Sequence, residues 1–388
     1  MAVGDEGWQG GIQYIINILN ALDKLETLPA IEVHLFKHAG QQFKDLEKFR
    51  KIKIVVRDID ETLPGWSFSN RLRWFVQRRF FSRVNPRLEN YLIANQFDYV
   101  FPATLSDGGK KLNTGSWIAD FQYKYFPDGS NPEINDNADR VISFIAGHTD
   151  KIVLSSKYCE EDCHRFFPAT KNKTHTMPFA VFIDDRVMEF QDFSGLREKY
   201  ELPEKFLLIS NLFAPTKNHE TVFHALGILK EQGKRIPLVC TGNIHDYAKP
   251  EYANEVLQML TKYKIRDQVY LLGLIPRIEQ VNLFRMAVAL VQPSLSEGWS
   301  TFVEEAKALG KQILLSDIPV HREQSPDFGI YFGPTDAKEL SSKIAIAWDQ
   351  SASSSFPDLA TEKRAMQKYN EFVLQFGKRF LQIAALEN

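Results

Sequence analysis

The stretch VALVQPSLSEGWSTFVEEAKALGK, residues 288–311, predicts a strand, a tight turn and a helix in immediate succession. The apolar run ends near residue 293, the turn covers 294–298, and the helix covers about 299–309. Short, wholly apolar strands that alternate with amphipathic helices are typical of a parallel sheet buried on both faces. The stretch therefore predicts an α/β fold, and its turn lies at the carboxyl end of a strand, where such sheets bind ligands.

The same alternation extends over most of the chain and predicts two series of strands. The first series is 31–36, 51–56, 98–102, 115–119 and 151–156. The second series is 206–210, 236–241, 268–273, 288–293, 312–316 and 330–332. A charged segment without a strand pattern separates them, so we place the linker near residues 180–200.

Two doubly wound, Rossmann-like domains facing a central cleft follow from this pattern. We predict a first domain over 1–185, a second over 200–357, and a C-terminal helix over about 358–388 that crosses back to the first domain. The chain reaches a glycine loop after about four residues, whereas such a sheet usually begins with a full strand. We therefore expect a short first strand, or a true start that lies upstream.

Net charge, apolar runs and the placement of cysteines disfavour several classes of protein. The 388 residues carry a formal net charge of −2, which argues against a general nucleic-acid binder. The sequence holds no apolar run of about 18 residues and no basic-then-apolar leader, which predicts a cytoplasmic protein. The segment CEEDCH (159–164) gathers potential metal ligands, but structural zinc needs four and only three good ones are local, so we assign no metal.

The turn and helix start of the opening stretch form a candidate anion site. Gly298 permits a tight turn, and the amides of Trp299, Ser300 and Thr301 have no acceptor within the helix. Unpaired amides at the positive end of a helix suit a phosphate group.

Two carboxylates flank this site in sequence, Glu297 in the turn and Glu305 inside the helix. Because carboxylates accept hydrogen bonds from hydroxyls, we expect one to hold a sugar and the other a ribose. The residues alone leave a structural alternative open, in which Glu297 caps the helix and Glu305 is an exposed acid.

The segment PSLSEGWSTFVEEAKALGK resembles the E-x7-E signature of retaining glycosyltransferases of family 4, of the group 1 type. The resemblance implies the two-domain GT-B fold. It also implies that Glu297 contacts the donor sugar, that Glu305 holds the ribose, and that the helix start between them binds the diphosphate.

Other stretches resemble the family in the expected order. In ISNLFAPTKNHETVFHAL (209–226), the residue at the position that reaches the donor phosphates is Lys217, and a cation there stabilises a departing diphosphate. Many members carry an arginine a few residues earlier, where this chain has Asn211. We expect phosphate binding to depend more heavily on Lys217.

Three further stretches complete the resemblance. CTGN (240–243) is similar to a glycine turn, with Gly242, and YLLGLIP (270–276) to the turn that meets the nucleobase, with Ile275. GWQGGIQYIINIL (7–19) is similar to the first-domain glycine loop that faces the diphosphate and the acceptor, with Gly10 and Gly11.

The segment SWIADFQYKYFPD (116–128) resembles the family segment that often carries a histidine near the reacting sugar. This chain has no histidine there, so we take Asp120 and Gln122 as substitutes, with a purely structural role as the alternative. We accordingly name Glu297, Lys217 and Asp120 as the candidate catalytic residues.

The segment WSFSNRLRWFVQRRFFSRVNPR (66–87) contains six arginines, six Phe or Trp residues and no acid. Such a stretch suits contact with an anionic membrane or a lipid diphosphate. However, its apolar and basic positions interleave at helical spacing, which favours equally a helix that packs its aromatic side chains in a core.

The resemblance implies a metal-independent enzyme without a cofactor. It would transfer a hexose-type sugar from a nucleotide-diphosphate sugar to an acceptor hydroxyl, with retention of configuration. The acceptor would be a glycan or lipid-linked glycan of bacterial surface polysaccharide or lipopolysaccharide. Two alternatives remain: a catalytically weak partner protein that binds a sugar nucleotide, and a sugar-nucleotide epimerase on the same fold. A nicotinamide dehydrogenase is disfavoured because no G-x-G-x-x-G follows a strand.

Overall fold

The computed structural model describes residues 9–37, 43, 45–63, 86–103, 112–126, 132–244, 252–351 and 357–386. The chain divides into two compact units. Unit 1 comprises 1–121, 133–180 and 371–388, and unit 2 comprises 122–132 and 181–370.

The strands are β1 (Glu32–Lys37), β2 (Lys53–Asp58), β3 (Gly115–Ile118), β4 (Lys151–Leu154), β5 (Thr174–Thr176), β6 (Leu207–Ser210), β7 (Leu238–Thr241), β8 (Val269–Gly273), β9 (Ala289–Gln292), β10 (Ile313–Ser316) and β11 (Gly329–Phe332).

The helices are α1 (Gln9–Lys24), α2 (Ile59–Thr62), α3 (Pro86–Ala94), α4 (Gln122–Tyr125), α5 (Pro132–His148), α6 (Lys157–Phe166), α7 (Asp185–Glu189), α8 (Phe193–Lys199), α9 (His219–Glu231), α10 (Tyr252–Lys262), α11 (Arg277–Met286), α12 (Thr301–Leu309), α13 (Pro319–Gln324), α14 (Ala337–Gln350) and α15 (Leu359–Ala384).

The described residues of unit 1 form two parallel sheets. β1 pairs with β2, and β3, β4 and β5 form a three-stranded sheet in that order. The predicted strand at 98–102 is wrong: Val100 forms only an isolated bridge with Thr114. Pro102 has no amide hydrogen to donate to a ladder, so a full strand cannot continue through it.

Unit 2 is built on one parallel sheet of six strands in the order β11-β10-β9-β6-β7-β8. Successive residues of its strands face opposite sides of the sheet, so each strand contributes side chains to two hydrophobic cores. Leu207 and Ile209 pack in the core on one face, and Leu208 packs in the core on the other. Burial on both faces explains why the strands are mostly apolar, and the predicted second series of strands is confirmed.

The C-terminal helix α15 contributes residues to both units. In unit 1, Gly377 lies so close to α1 that a Cβ atom there would come within 3.0 Å of the Ala21 carbonyl oxygen. In unit 2, Glu362 accepts hydrogen bonds from the fully buried guanidinium of Arg285. A close backbone approach and a buried ion pair thus fix the two halves of α15, each within its own unit.

Two predictions fall outside the described residues. The expected first strand would lie in 1–8, and the Arg-rich aromatic segment 66–87 is described only at Pro86 and Arg87, which begin α3. Among the helices that the structure does describe, none combines the length and apolar character needed to cross a membrane.

Candidate functional site

The sheet of unit 2 reverses its winding direction between β6 and β9. From β6 the chain proceeds outward to β7 and β8, and it then returns to β9 on the other side of β6. The loops after β6 and β9 therefore leave the carboxyl edge at the point where the order reverses, which is where open α/β sheets bind ligands. Lys217 belongs to the first loop and Glu297 to the second.

The carboxylate of Glu297 is buried and strongly hydrogen-bonded. Its Oε1 accepts from Lys217 Nζ at 2.6 Å, Ser294 Oγ at 2.7 Å and Gln292 Nε2 at 2.9 Å. All three bonds reach the same oxygen. This arrangement fixes the direction of the carboxylate and pairs its charge with the one cation that the sequence predicted at a phosphate site.

Lys217 owes its position to a short 3-10 turn, Pro215–Lys217, between β6 and α9. Asn218 follows in the left-handed conformation, with φ of 55°, and its side-chain amide donates to the carbonyl oxygens of Pro293 and Pro334. These bonds tie the β6 loop to the β9 loop. The side chain of Lys217 is partly exposed, at 20%.

A buried polar network that the sequence did not predict orients the side chains that donate to Glu297. Asn211 Nδ2 donates to Gln292 Oε1 at 2.9 Å, so the residue in place of the family arginine orients a glutamine that bonds Glu297. Ser316 Oγ donates to the Ser294 carbonyl at 2.5 Å, and His321 Nδ1 lies 2.8 Å from the Ser316 carbonyl.

His321 is buried, and burial lowers the pKa of its imidazole. Because a carbonyl oxygen can only accept, Nδ1 donates to the carbonyl of Ser316, and Nε2 has no hydrogen-bond partner among the described residues. Gln292 and Ser316 lie at the ends of separate strands and His321 lies in α13, and their spacing in the sequence carries no signal of the contact.

Helix α12 begins one residue after a side-chain cap. Ser300 Oγ accepts from the Val303 amide at 3.4 Å. The prediction of an unpaired Ser300 amide is wrong, because this amide donates to Gln324 Oε1 at 3.2 Å. Gln324 Nε2 donates in turn to the Ser300 carbonyl at 2.9 Å. Within the described part of the chain, the amides of Thr301 and Phe302 remain without a partner.

Glu305 is buried in the second turn of α12, not exposed as in the structural alternative. Its Oε1 accepts a hydrogen bond from the Arg277 guanidinium at the start of α11. Burial raises the pKa of the Glu305 carboxyl, and the positive charge of Arg277 opposes that rise. The sequence reasoning missed Arg277, which lies two residues after the predicted Ile275.

The loops after β7 and β8 meet the loop after β6. Gly242 has φ of 123°, and a Cβ there would lie 2.1 Å from the Asn211 carbonyl oxygen, so only glycine fits. Its amide donates to the Gly273 carbonyl at 2.9 Å. Beyond Gly273, Ile275 packs against the core while Leu274 is 78% exposed.

The first-domain candidates divide between the two units. Gln122 Nε2 donates to the Ser296 carbonyl at 3.2 Å, which places it beside Glu297 in unit 2. Gly10 and Gly11 lie in the first turn of α1, and Asp120 follows β3, all three in unit 1. Among the described residues, no cluster of three or more His, Cys, Asp or Glu side chains is arranged to hold a metal ion.

Known glycosyltransferases resemble this chain in sequence. The model of the family "Glycosyl transferases group 1" matches residues 193–369. The O-antigen chain mannosyltransferase RfbU of Salmonella typhimurium is 30% identical over 339 residues, which cover 86% of this chain and 85% of that protein. The serotype-specific mannosyltransferase WbdA of Escherichia coli is 26% identical over 195 residues, covering 49% of this chain and 23% of that protein. The chain thus spans about a quarter of the length of WbdA.

Solved structures show the same fold. Anabaena Alr3699/HepE in complex with UDP aligns with a TM-score of 0.66 at 15% identity, over 100% of this chain and 99% of that one. The sucrose-phosphate synthase of Thermosynechococcus elongatus aligns with a TM-score of 0.63 at 16% identity, over 96% and 93%. The predicted GT-B fold is confirmed, and the chain belongs to the group 1 glycosyltransferase family.

Proposed function

We propose that the chain transfers a hexose, mannose in the first instance, from a nucleotide-diphosphate sugar to a hydroxyl of a glycan. One observation carries this proposal: the Lys217 ammonium lies 2.6 Å from the Glu297 carboxylate at the switch point of the sheet, immediately before α12. Lys217, a cation suited to the leaving phosphate, thus lies next to Glu297, an acid suited to sugar hydroxyls. The names of RfbU and WbdA, both mannosyltransferases, support the choice of sugar.

Each residue then has a defined task. Lys217, with the amides of Thr301 and Phe302, stabilises the negative charge that develops on the departing diphosphate. Glu297 accepts hydrogen bonds from the sugar hydroxyls, and Glu305 accepts them from the ribose. Since these groups supply the positive charge at the leaving group, we propose that the reaction needs no metal ion or other cofactor.

The resemblance to family 4 supports retention of the anomeric configuration. In this proposal the bond between the anomeric carbon and the phosphate oxygen breaks, and the acceptor oxygen bonds the same carbon from the leaving-group face. The acceptor proton passes to the departing phosphate. This route requires no side-chain base, which accords with the missing histidine near Asp120.

The acceptor is proposed from the name of one relative. The name of RfbU points to an O-antigen chain, and we propose a surface glycan or its lipid-linked precursor as the acceptor. Peripheral contact with the inner face of the membrane through residues 66–87 stays a prediction.

The test is an assay of donor turnover. The purified chain is incubated with GDP-mannose, UDP-glucose and other nucleotide sugars, without and with a lipid-linked glycan acceptor, and release of nucleotide diphosphate is followed. We expect slow hydrolysis of one donor, acceleration by the acceptor, no effect of a chelator, and an unchanged anomeric configuration by NMR. A protein that binds one nucleotide tightly but never releases sugar would instead be a sugar-nucleotide-binding partner.

A further inference from the structure

Arg277 occupies an unusual place for a cation. It is the first residue of α11, directly after Pro276. The N-terminal end of a helix carries partial positive charge, so a cation there is disfavoured by its own helix. Its placement needs a compensating partner, and the structure shows one on a different helix.

The Arg277 guanidinium bridges two acceptors. One terminal nitrogen donates to Glu305 Oε1, and the other donates to Gln280 Oε1 at 2.9 Å. Gln280 Nε2 donates onward to Ser210 Oγ at 2.7 Å, which also accepts from Thr241 Oγ1 at 2.9 Å. Through Gln280, the guanidinium is thus linked to side chains at the carboxyl ends of β6 and β7. Its other terminal nitrogen donates to Glu305.

The two partners differ sharply in burial, with the Glu305 side chain 7% exposed and that of Arg277 52% exposed. Lys307, the neighbouring cation on α12, does not take the place of Arg277 as the partner of Glu305, because it donates to Glu304. Glu304 also accepts from Gln324 and Tyr369. Burial raises the pKa of the Tyr369 hydroxyl on α15, and the neighbouring Glu304 and, to a lesser degree, Glu305 raise it further. Within the described ranges, Arg277 is the ion-pair partner of Glu305.

We propose that Arg277 is a positioning residue that keeps the Glu305 carboxylate ionised and directed toward the ribose of the donor nucleotide. An ionised carboxylate accepts charge-assisted hydrogen bonds from both ribose hydroxyls, whereas a protonated one is a weaker acceptor. Arg277 acts through Glu305 and need not touch the donor. This inference rests on the proposed function, since it assigns the ribose to Glu305.

The experiment is a double-mutant cycle measured across pH. Wild type, Arg277→Gln, Glu305→Gln and the double variant are titrated calorimetrically with GDP and UDP at pH 6, 7.5 and 9. Loss of the guanidinium leaves burial unopposed, so the pKa of Glu305 rises further and a larger fraction of the carboxyl is protonated at pH 6 than in wild type. We expect Arg277→Gln to bind the diphosphate about tenfold more weakly than wild type at pH 6, with a smaller loss at pH 9.

The coupling and the controls decide the mechanism. We expect Arg277→Gln to change nothing further in the Glu305→Gln background. Arg277→Lys, which retains the charge, should restore much of the affinity at pH 6. Arg235→Gln is the matched control, because Arg235 is likewise exposed, at 59%, and pairs with Asp267 elsewhere in unit 2. Thermal unfolding of each variant confirms that it is folded.

Distinct outcomes overturn distinct conclusions. If wild type binds no nucleotide diphosphate, the proposed function fails and this inference falls with it. If wild type binds and Arg277→Gln matches it at every pH, the inference alone is overturned. An equal loss from Arg277→Gln with or without Glu305 also overturns it, because the arginine would then contact the donor directly.

Discussion

Glu304 and Glu305 are neighbours on α12 and are both buried, yet their surroundings differ. Glu304 accepts from Lys307 at 3.0 Å, Gln324 at 2.9 Å and Tyr369 at 2.8 Å, and its partners come from α12, α13 and α15. Glu305 has the half-exposed Arg277 as its ion-pair partner among the described residues. The hydrogen-bonding capacity of Glu304 is therefore used by groups of the protein itself. Glu305 retains capacity to accept hydrogen bonds from a ligand.

This difference distinguishes an acid that stabilises the fold from an acid that can bind a ligand. Carboxylate oxygens together accept about four hydrogen bonds. An acid whose partners all belong to the protein scaffold contributes to stability, and its removal leaves those groups unpaired. An acid with one partner at the surface can exchange that partner for ligand hydroxyls at little cost to the fold.

The largest expected effect separates the two acids by stability. Glu304→Ala leaves Gln324, Lys307 and the buried Tyr369 hydroxyl without their acceptor, which we expect to lower the free energy of unfolding by about 3 to 4 kcal/mol. Glu305→Ala should cost only about 1 kcal/mol, because water can solvate the exposed Arg277. Urea unfolding followed by circular dichroism measures both, and equal losses would contradict the distinction.

Glu297 challenges the same distinction, since it too accepts three hydrogen bonds. All of them reach one oxygen, and one donor is Lys217, which we assign to the donor phosphate. We expect Glu297→Gln to lower kcat about 10²-fold, about 2.7 kcal/mol in the transition state, by removing charge-assisted bonds to the sugar. Initial rates with the donor found in the turnover assay provide the measurement.

The stability of the same variant serves as its control. We expect the free energy of unfolding of Glu297→Gln to stay within about 1 kcal/mol of wild type, because glutamine retains the shape and one acceptor. An unchanged kcat combined with a large loss of stability would make Glu297 a second structural acid like Glu304.

The sequence predicted the sheet of unit 2 well because its strands are buried on both faces, so their apolar runs differ clearly from the amphipathic helices between them. The prediction failed where a strand lacks such an apolar run or is interrupted. β5 (Thr174–Thr176) is three residues long and wholly made of Thr and His, so no apolar run marks it. The strand expected at 98–102 has the right composition but includes Pro102, and it shrinks to one bridge.

Candidate site residues could be named from the sequence where they share one segment or match a family motif. Glu297, Glu305 and the helix start between them follow a single spacing, and Lys217 follows from the resemblance. Arg277 reaches Glu305 from 28 residues away, and Gln324 reaches the Ser300 amide from 24 residues away. Such contacts depend on how strand ends meet at a sheet edge, which local spacing does not encode.

A smaller effect sharpens the comparison at the level of binding. We expect Glu305→Ala to weaken the preferred nucleotide diphosphate about 10- to 30-fold, which corresponds to about 1.4 to 2 kcal/mol for lost charge-assisted bonds to the ribose. Glu304→Ala, titrated at a temperature where it is folded, should bind within about threefold of wild type. If the two variants lose affinity equally, Glu304 shapes the donor site as well as the fold.

The smallest effect concerns pH. Burial raises the pKa of the Glu304 carboxyl, which outweighs the opposing effects of Lys307, Gln324 and Tyr369. The folded state then binds the proton more tightly than the unfolded state, so this stabilising contribution is present at acidic pH and is lost as pH rises through the folded-state pKa.

Glu304→Gln removes that titration while it keeps a carbonyl acceptor of similar size. We therefore expect the stability of wild type relative to Glu304→Gln to fall as pH rises from about 4.5, by about 1.4 kcal/mol for each unit that separates the folded and unfolded pKa values. Urea unfolding of both proteins at a series of pH values between 4.5 and 8 isolates this difference, because their other titrating groups are shared. A difference that grows with pH would mean that Lys307 and the surrounding donors hold Glu304 ionised in the folded protein, and that its environment resembles that of Glu305 more closely than its burial indicates.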